Sequence, residues 1–389
     1  GLGKDSSDDK LRKLEHALMI YAGISKPKFL SCRIYSFFIS TIINLGLLAF
    51  KVDSNKVKRY LKDANVRRGL INVLTSIVEL GLSKPQKLLA PFLVVWNFTN
   101  ACNLRCKHCY QNASFSSSDE LTLEEKLRVV NELDEAGIAS LAFSGGEPLM
   151  MKDHLLKVAR RASKSGIYVA LATNGTLLTR RVVKELKEAG VKYVEISLDS
   201  ADPEIHDKFR GVRGAFRAAI EGIRNCVEEG LFTCIATTVT KLNFHEIGKI
   251  IELAKKLNVN RFITFNFIPV GRGREIMDLD LSPKERELFL EELARFADIA
   301  SGGKSIGINW ADGVAFVYYP IPLATETAAK AVIEEGRVYW AFVSYALMPE
   351  YKPKIETKER IIVPVVNVSS SPLFKSVAKW LKMHAEGRV

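Results

Sequence analysis

The sequence has few cysteines for its length. Six are spread over 389 residues, and none follows Cys234. A chain of this size can bury a core large enough to fold without disulfides, so a small disulfide-stapled secreted scaffold is excluded. With 47% hydrophobic and 26% charged residues, the composition also excludes collagen-like, low-complexity and wholly disordered classes. The length allows one large α/β domain with an appendage, or two domains.

Long hydrophobic runs are also lacking. The longest uncharged apolar segment, residues 34–50, is just short of the roughly 18–20 residues that span a bilayer, and it starts too far along the chain for a simple signal peptide. It is open to three interpretations: a buried helix, a helix resting on a membrane surface, or a true span. We favour the buried helix. The membrane-resting alternative draws support from the basic residues that follow, Lys56, Lys58, Arg59 and Lys62.

The middle of the chain has no charge bias. Residues 91–301 hold 29 basic and 29 acidic residues, whereas residues 1–90 hold 16 and 7, and residues 302–389 hold 11 and 8. This distribution predicts a neutral catalytic body with a basic arm that meets an anionic membrane surface, or a solubilising surface on a helical appendage. No nucleic-acid partner is predicted. The chain begins at Gly1 rather than at a methionine, which leaves open whether residues precede it.

Apolar spacing divides the chain into three regions, 1–90, 91–301 and 302–389. In the first, apolar residues recur every three or four positions, which predicts helices over residues 10–22, 35–50, 53–63 and 67–80. The second alternates short strands with longer helices in six β–α repeats, so it predicts parallel strands with crossover helices. The pattern alone does not separate an open doubly wound sheet from a partial barrel. The third predicts a small, irregular α+β tail whose last 18 residues are helical.

Three cysteines stand close together directly after the first predicted strand. Cys102, Cys106 and Cys109 have the spacing CxxxCxxC, which lets one loop direct three thiolates at one centre. Structural zinc normally has four ligands, and His108 is the one nearby residue that could complete such a site. A four-iron cluster held by three cysteines instead leaves one iron open to a small molecule, unlike clusters that only carry electrons. A reducing cytoplasm is the compartment that suits such thiolates.

This cysteine loop resembles that of the radical S-adenosylmethionine (SAM) superfamily. Further motifs carry the resemblance, and each falls near the C-terminal end of a strand, where β/α folds place their sites. They are the GGEP segment Gly145-Gly146-Glu147-Pro148, the segment Thr173-Asn174-Gly175, the segment Ser197-Leu198-Asp199, and Arg210. The resemblance covers about residues 91–275 and implies a partial (β/α)6 TIM-like barrel. The N-terminal helical extension and the α+β tail would flank it.

The resemblance implies the cofactors and their ligands. Cys102, Cys106 and Cys109 would bind a [4Fe–4S] cluster. SAM would be held by Gly145, Gly146, Glu147, Pro148, Thr173, Asn174, Ser197, Asp199 and Arg210, with His108 packing near the adenine. An electron donor such as ferredoxin or flavodoxin would drive cleavage of SAM to a 5′-deoxyadenosyl radical. That radical would take hydrogen from an unidentified substrate: a peptide, a tetrapyrrole or another small cofactor precursor. No residue of the chain is predicted to be catalytic in its own right.

The tail resembles a degenerate SPASM or twitch extension. The turn Pro269-Val270-Gly271-Arg272-Gly273 is similar to one that precedes such extensions, and residues 335–339 and 366–375 are similar to parts of them, without their cysteines. Since those cysteines hold auxiliary clusters, a second function stays open: a non-catalytic [4Fe–4S] electron carrier or binding protein derived from the same fold. The intact GGEP and SLDS segments favour an enzyme. The expected location is the cytoplasm, with peripheral attachment to the inner membrane face through residues 1–90.

Overall fold

The computed structural model describes residues 5–27, 29–49, 53–81 and 87–300, together with five strand segments between residues 310 and 364. The N-terminal region is helical, as the apolar spacing predicts. Its helices are α1 (Asp5–Tyr21), α2 (Leu30–Ala49), α3 (Ser54–Tyr60) and α4 (Ala64–Leu80). Buried residues from the first helices and their connections, Leu18, Tyr21, Ala22 and Leu61, form a small core of their own.

Six parallel strands form the central sheet, in the same order in space as in sequence. They are β1 (Leu93–Asn97), β2 (Ser140–Ser144), β3 (Tyr168–Thr173), β4 (Val191–Ser197), β5 (Phe232–Val239) and β6 (Arg261–Asn266). A doubly wound sheet reverses its strand order at a switch point, and this sheet does not. The uninterrupted order therefore identifies a partial (β/α)6 barrel and decides the alternative that periodicity left open.

Seven helices connect and cover these strands. They are α5 (Leu123–Ala136), α6 (Lys152–Lys164), α7 (Arg180–Glu188), α8 (Pro203–Arg210), α9 (Ala215–Glu228), α10 (Ile247–Lys256) and α11 (Pro283–Ala300). The start of α5 illustrates how the sequence sets a boundary: the Thr122 hydroxyl accepts from the Glu125 backbone N–H, and the Glu125 carboxylate accepts from the Thr122 N–H. The apolar spacing predicts helices over residues 180–189, 215–229 and 283–300, and α7, α9 and α11 agree with these bounds to within one residue at each end.

Side chains alternate along each strand, so that one set faces the surrounding helices and the other set faces the barrel interior. On β3, Val169 and Leu171 are fully buried against the surrounding helices, whereas Tyr168 and Ala170 line an interior cavity. On β4, Val194 and Ile196 point to the helices in the same way, and Tyr193, Glu195 and Ser197 line the cavity. The barrel interior is therefore lined by every second residue of each strand, and the apolar core lies between sheet and helices.

Helix α4 attaches the N-terminal helices to the barrel. Arg68 donates hydrogen bonds to the backbone oxygens of Ile138 and Ser165, and its Nη1 lies 2.8 Å from Oδ1 of Asp134. Asn72 on the same helix donates to the carbonyl of Ala90, just before β1. Arg68 thus binds the chain just after α5 and just after α6, and these contacts fix α4 to the outside of the barrel.

Helix α2 is not buried, contrary to the expectation we favoured from the sequence. Phe37 is 68% exposed, Phe38 60%, and Ile42 65%. Residues Leu30–Leu48 are long and apolar enough to cross a membrane, with a mean hydropathy of 1.4, yet only 6% of that window is buried. The reason is geometric, because few described elements pack against α2. The sequence pattern predicts an apolar face on the helix but does not predict which element, if any, buries that face.

The described part of the C-terminal region is antiparallel. A short hairpin pairs β7 (Trp310–Ala311) with β8 (Val314–Ala315), and β9 (Glu326–Glu334) lies between β10 (Arg337–Tyr345) and β11 (Arg360–Pro364). The strands of the predicted α+β tail are thus present. The helix expected over the last 18 residues and the motif at residues 366–375 lie outside the described residues.

Candidate functional site

Three free cysteines follow β1 on one loop at the C-terminal end of the barrel. Each sulfur receives one N–H donor. The N–H of Leu104 lies 3.4 Å from Cys102 Sγ, that of Ala113 lies 3.4 Å from Cys109 Sγ, and Arg210 Nη1 lies 3.7 Å from Cys106 Sγ. Burial raises the pKa of the Cys102 and Cys106 thiols. A bound cation would favour the thiolates, and donors to sulfur are a feature of iron–sulfur sites.

Two distant parts of the chain hold the cysteine loop in place. Arg272 donates from Nε to the Cys106 carbonyl at 2.8 Å and from Nη1 to the Ala113 carbonyl at 2.9 Å. The end of α8 accepts the N–H groups of Arg105 and Lys107 through the carbonyls of Arg210 and Phe209. The loop conformation is therefore set by hydrogen bonds from both sides, which keeps the three sulfurs fixed relative to one another.

The glycine pair after β2 brings the second motif against the cysteine loop. A Cβ on Gly145, whose φ is +127°, would lie 2.6 Å from the Thr99 carbonyl oxygen, and one on Gly146 would lie 2.3 Å from that of Ala101. No side chain fits at either position. The backbone of Gly146 donates to Thr99 and that of Glu147 donates to Ala101, both at 2.7 Å. These glycines are needed for contact between two loops of the protein itself, a role that the sequence motif did not reveal.

Glu147 is fully buried and already accepts three protein hydrogen bonds. Its Oε1 accepts from the Thr173 hydroxyl at 2.8 Å and from the Leu149 N–H at 3.1 Å, and its Oε2 accepts from the Asn174 N–H at 2.8 Å. Burial raises its pKa, and these donors oppose the rise. The carboxylate therefore ties the end of β2 to the end of β3, and Oε2 retains capacity for one further donor.

Asn174 connects this network to the cysteine loop. Its side-chain amide donates to Asn103 Oδ1 at 2.8 Å, and its own Oδ1 accepts from the backbone and hydroxyl of Thr176. Glu147, Thr173 and Asn174, which the sequence assigned to one cofactor, thus form one connected cluster. Pro148 is buried and begins a short 3₁₀ turn immediately afterwards.

Asp199 and Arg210 form a buried ion pair. Arg210 Nε lies 2.6 Å from Asp199 Oδ2, although the two atoms are not aligned as a hydrogen bond. Burial tends to raise the Asp199 pKa, and the charge of Arg210 outweighs it, so the Asp199 pKa lies below its usual range. The pair joins the end of β4 to α8, and the same guanidinium reaches Cys106 Sγ. Arg210 faces the cavity, and Asp199 lies behind it.

His108 is an aromatic packing residue in this site. Its ring stacks on Phe209, with centroids 4.2 Å apart and an interplanar angle of 18°. Burial lowers its pKa to about 3, even though Asp199 Oδ2 lies 4.0 Å from its Nε2. The imidazole is therefore neutral near pH 7. It lines the cavity, and its packing against a cofactor ring stays a prediction.

One cavity of about 960 Å³ brings most of the predicted residues together. Its wall includes Cys102, Cys106, His108, Cys109, Gly145, Gly146, Thr173, Asn174, Ser197 and Arg210. Within the described ranges, no three His, Cys, Asp or Glu side chains lie close enough to share one metal ion. The assignment of individual metal ligands to these residues stays a prediction.

Helix α8 and the side chain of Arg272 help to build this site, and the sequence motifs predict neither contribution. Helix α8 carries Arg210, and its ends were signalled by Asp202-Pro203 and by Gly211: Asp202 accepts from the Glu204 and Ile205 N–H groups, and Gly211 is left-handed. Arg272 was noticed only as part of a turn motif. Its contact with the cysteine loop joins residues 166 positions apart, so no local signal could reveal it.

Comparison with known proteins finds a family model that matches part of the barrel. Residues 96–254 match the family model of the radical SAM superfamily. Proteins of this family use a [4Fe–4S] cluster together with SAM. The matched residues run from β1 into α10 and contain the three cysteines, the GGEP segment and the Asp199–Arg210 pair.

Two curated relatives come from Methanosarcina barkeri. The chain is 41% identical to an Fe-coproporphyrin III synthase over 194 residues, which is 50% of this chain and 48% of that protein. It is 42% identical to an AdoMet-dependent heme synthase over 201 residues, 51% of this chain and 57% of the relative. The chain thus spans about half the length of the curated relatives it matches. Among solved structures, Streptococcus suis SuiB bound to precursor peptide SuiA has the same fold, with a TM-score of 0.53, 16% identity, and coverage of 75% and 64% of the two chains.

Proposed function

Because residues 96–254 match the family model of the radical SAM superfamily, we propose that the protein binds a [4Fe–4S] cluster through Cys102, Cys106 and Cys109 and catalyses a radical reaction on an organic substrate. When bound, the cluster and SAM supply a 5′-deoxyadenosyl radical that takes a hydrogen atom from an unreactive C–H bond. The chain's own residues hold, orient and shield these groups. Its three regions, divided near residues 91 and 301, would be a helical extension, the catalytic barrel and a tail.

One observation carries the proposal: the three thiols, the glycine pair and the polar ends of β3 and β4 line a single cavity. Arg272 and α8 fix the thiols, and Gly145 and Gly146 bring the second loop against them. Asn174, Ser197 and Arg210 then offer polar atoms along the same wall. An electron carrier would need the cysteine loop alone, so the polar atoms that the ends of β3 and β4 add to this cavity favour an enzyme over the non-catalytic alternative.

Anaerobic reconstitution with iron and sulfide, followed by SAM and dithionite, tests this function. We expect visible absorption from a cluster and release of 5′-deoxyadenosine. Cys106→Ala should lose both, whereas Cys32→Ser, which alters a cysteine on α2, should keep both. A cluster that is reduced and reoxidised without any 5′-deoxyadenosine would contradict the enzyme and favour the electron carrier.

For the substrate, we propose a tetrapyrrole on the route to a heme-type cofactor. Support comes from the two Methanosarcina relatives, whose names refer to coproporphyrin and heme and which share about two residues in five with this chain over the barrel. The cavity wall is largely apolar, which suits a broad macrocycle better than a polar metabolite. A peptide is the competing substrate class. Incubation of the reconstituted protein with each class, followed by mass analysis of products, separates the two.

A cytoplasmic electron donor and an anionic membrane surface are the partners we propose. A low-potential donor of the ferredoxin or flavodoxin class would supply the electron. The membrane proposal rests on the exposed apolar residues of α2 and on the exposed basic residues that follow it, Lys56, Arg59 and Lys62. Such a combination is typical of helices that lie in the membrane interface.

A further inference from the structure

A second group of polar residues lines the same cavity, away from the cysteine loop. Tyr168 begins β3, Tyr193 and Glu195 lie on β4, and Arg261 begins β6. All four belong to the set of alternate strand residues that face the barrel interior. Parallel strands start at the same end of a barrel, so Tyr168, Tyr193 and Arg261 lie at the end opposite the thiols. Neither the cluster nor SAM accounts for these residues.

Arg261 presents an unpaired charge to this cavity. Its guanidinium carbon lies 5.4 Å from the ring centroid of Phe232 and 5.9 Å from that of Tyr193. Its Nε is buried and has no hydrogen-bond partner, and no carboxylate lies within 4.0 Å of the guanidinium in the described part of the chain. Stacking on aromatic rings orients the planar guanidinium without using its donors. A buried donor without a partner is costly, so the arrangement calls for an acceptor that the protein does not provide.

Glu195 is the only acidic side chain on the described cavity wall. Tyr193 donates its hydroxyl to Glu195 Oε2 at 3.3 Å, and the carboxyl group has no ion-pair partner among the described residues. It sits two positions further along β4 than Tyr193 and therefore nearer to the thiol end. The floor of the cavity is the end at which the strands begin, and Arg261 lies there. The Glu195 carboxyl group lies nearer to the thiols, and the two side chains form no ion pair.

We propose that Arg261 binds a carboxylate of the substrate at the floor of the barrel, and that Glu195 repels carboxylates from the middle of the cavity. The inference rests on the proposed function and narrows it: the substrate is a carboxylic acid on an apolar body, such as a porphyrin that carries propionate groups. A guanidinium matches a carboxylate with two parallel hydrogen bonds, which fixes orientation as well as position. Glu195 would then determine which end of an elongated acid enters first.

The inference is tested with the full reconstituted chain. Fluorescence measures the affinity for metal-free coproporphyrin III at pH 8, with SAM present and without reductant. Arg261→Gln should weaken binding of the free acid about ten- to a hundredfold, the loss expected for a charged hydrogen-bonded pair. Glu195→Gln should tighten it, because an opposing charge is removed. Arg213→Gln removes an equally positive but exposed side chain and should change nothing.

The tetramethyl ester of the same porphyrin separates charge recognition from packing. It should bind the wild type and Arg261→Gln with equal affinity, because it presents no carboxylate. Iron content and absorption of the cluster show that each variant is folded, and Arg261→Lys should restore part of the affinity. Equal binding of the free acid by wild type and Arg261→Gln, or no binding by the wild type, would overturn the inference. Failure of the proposed function appears separately, as the absence of 5′-deoxyadenosine from the wild type.

Discussion

Arg272 Nε donates to the Cys106 carbonyl at 2.8 Å, which ties the segment after β6 to the loop after β1. The same side chain also donates to the Ala113 carbonyl and to Asn112 Oδ1, while the Arg272 backbone N–H donates to the Cys109 carbonyl. One residue that follows the last strand of the barrel thus contacts the cysteine loop at four acceptors. The conformation of the cysteine loop therefore depends on a residue outside the cysteine motif.

Arg272→Gln should loosen the cysteine loop while leaving the barrel folded. Three side-chain hydrogen bonds are lost or lengthened, each worth about 1 kcal/mol. We expect less iron per chain after reconstitution and faster bleaching of the cluster in air, with an unchanged far-UV spectrum. Arg274→Gln, an exposed arginine two residues further on, serves as the control. Full iron content and wild-type air stability in Arg272→Gln would contradict this role.

Asp199→Asn should destabilise the fold strongly. The substitution leaves Arg210 charged, buried and without its carboxylate, a change that typically costs about 3–5 kcal/mol. Chemical denaturation of the chain without its cluster measures the free energy of unfolding. Glu252→Gln breaks a more exposed ion pair with Lys255 and should change that free energy by less than about 1 kcal/mol. Similar changes in the free energy of unfolding for the two substitutions would show that the buried pair contributes no more to stability than the exposed one.

The stability of the protein should depend on pH through Glu195. Burial raises the Glu195 pKa to about 7 from 4.5, while Tyr193 and Arg261 oppose the rise and Cys234 packs beside it. Between these two values the unfolded chain releases its proton first, so the contribution of Glu195 to stability falls as pH rises. Relative to the wild type, Glu195→Gln should therefore gain up to about 3 kcal/mol between pH 4.5 and pH 8.

Thermal unfolding at several pH values measures this difference. Glu188→Gln changes an exposed glutamate at the end of α7 and should track the wild type throughout. A pH-independent difference between Glu195→Gln and the wild type would mean that the carboxyl group titrates normally and is not desolvated.

Binding to anionic vesicles should depend on α2 and on salt. Basic residues near the surface contribute about 1 kcal/mol each, and the screening length falls to about 3 Å at 1 M salt. We therefore expect co-sedimentation at low salt that weakens at high salt and is reduced in Phe37→Ser/Phe38→Ser. Met277→Ser, an exposed apolar residue elsewhere, is the control. Absence of binding at any salt would refute the membrane contact, and retention that only detergent removes would indicate a span.

Sequence patterns predict the strands and helices of the barrel well because each element is determined by residues close to it in the chain. Strand-and-helix alternation, the Thr122–Glu125 cap and the left-handed Gly137 each act within a few residues, so the boundaries of α5 follow from the sequence. The order of the strands does not follow from these patterns, because it depends on which edges pair in three dimensions. The order of the strands, in which each strand lies beside its neighbour in sequence, separates the partial barrel from a doubly wound sheet.

The site was predicted in part, for a related reason. Motifs located the cysteines and the strand ends, yet Glu147 turned out to bind three donors from the protein itself, and Asp199 turned out to pair with Arg210. These contacts join segments that are distant in sequence. The exposure of α2 has the same cause, since an apolar face reveals nothing about what covers it. Tyr193, Glu195 and Ser197 could have been assigned to the interior from their alternation along β4.

The sequential order of the strands has a consequence for how the protein assembles. Each strand pairs with the one made just before it, so the chain can add one β–α unit at a time. The cysteine loop belongs to the first unit, and Arg272 follows the sixth strand. During synthesis, the cysteines therefore emerge long before the residue that fixes their loop. We expect cluster insertion to wait for the last unit, which makes an incomplete chain unable to hold iron firmly.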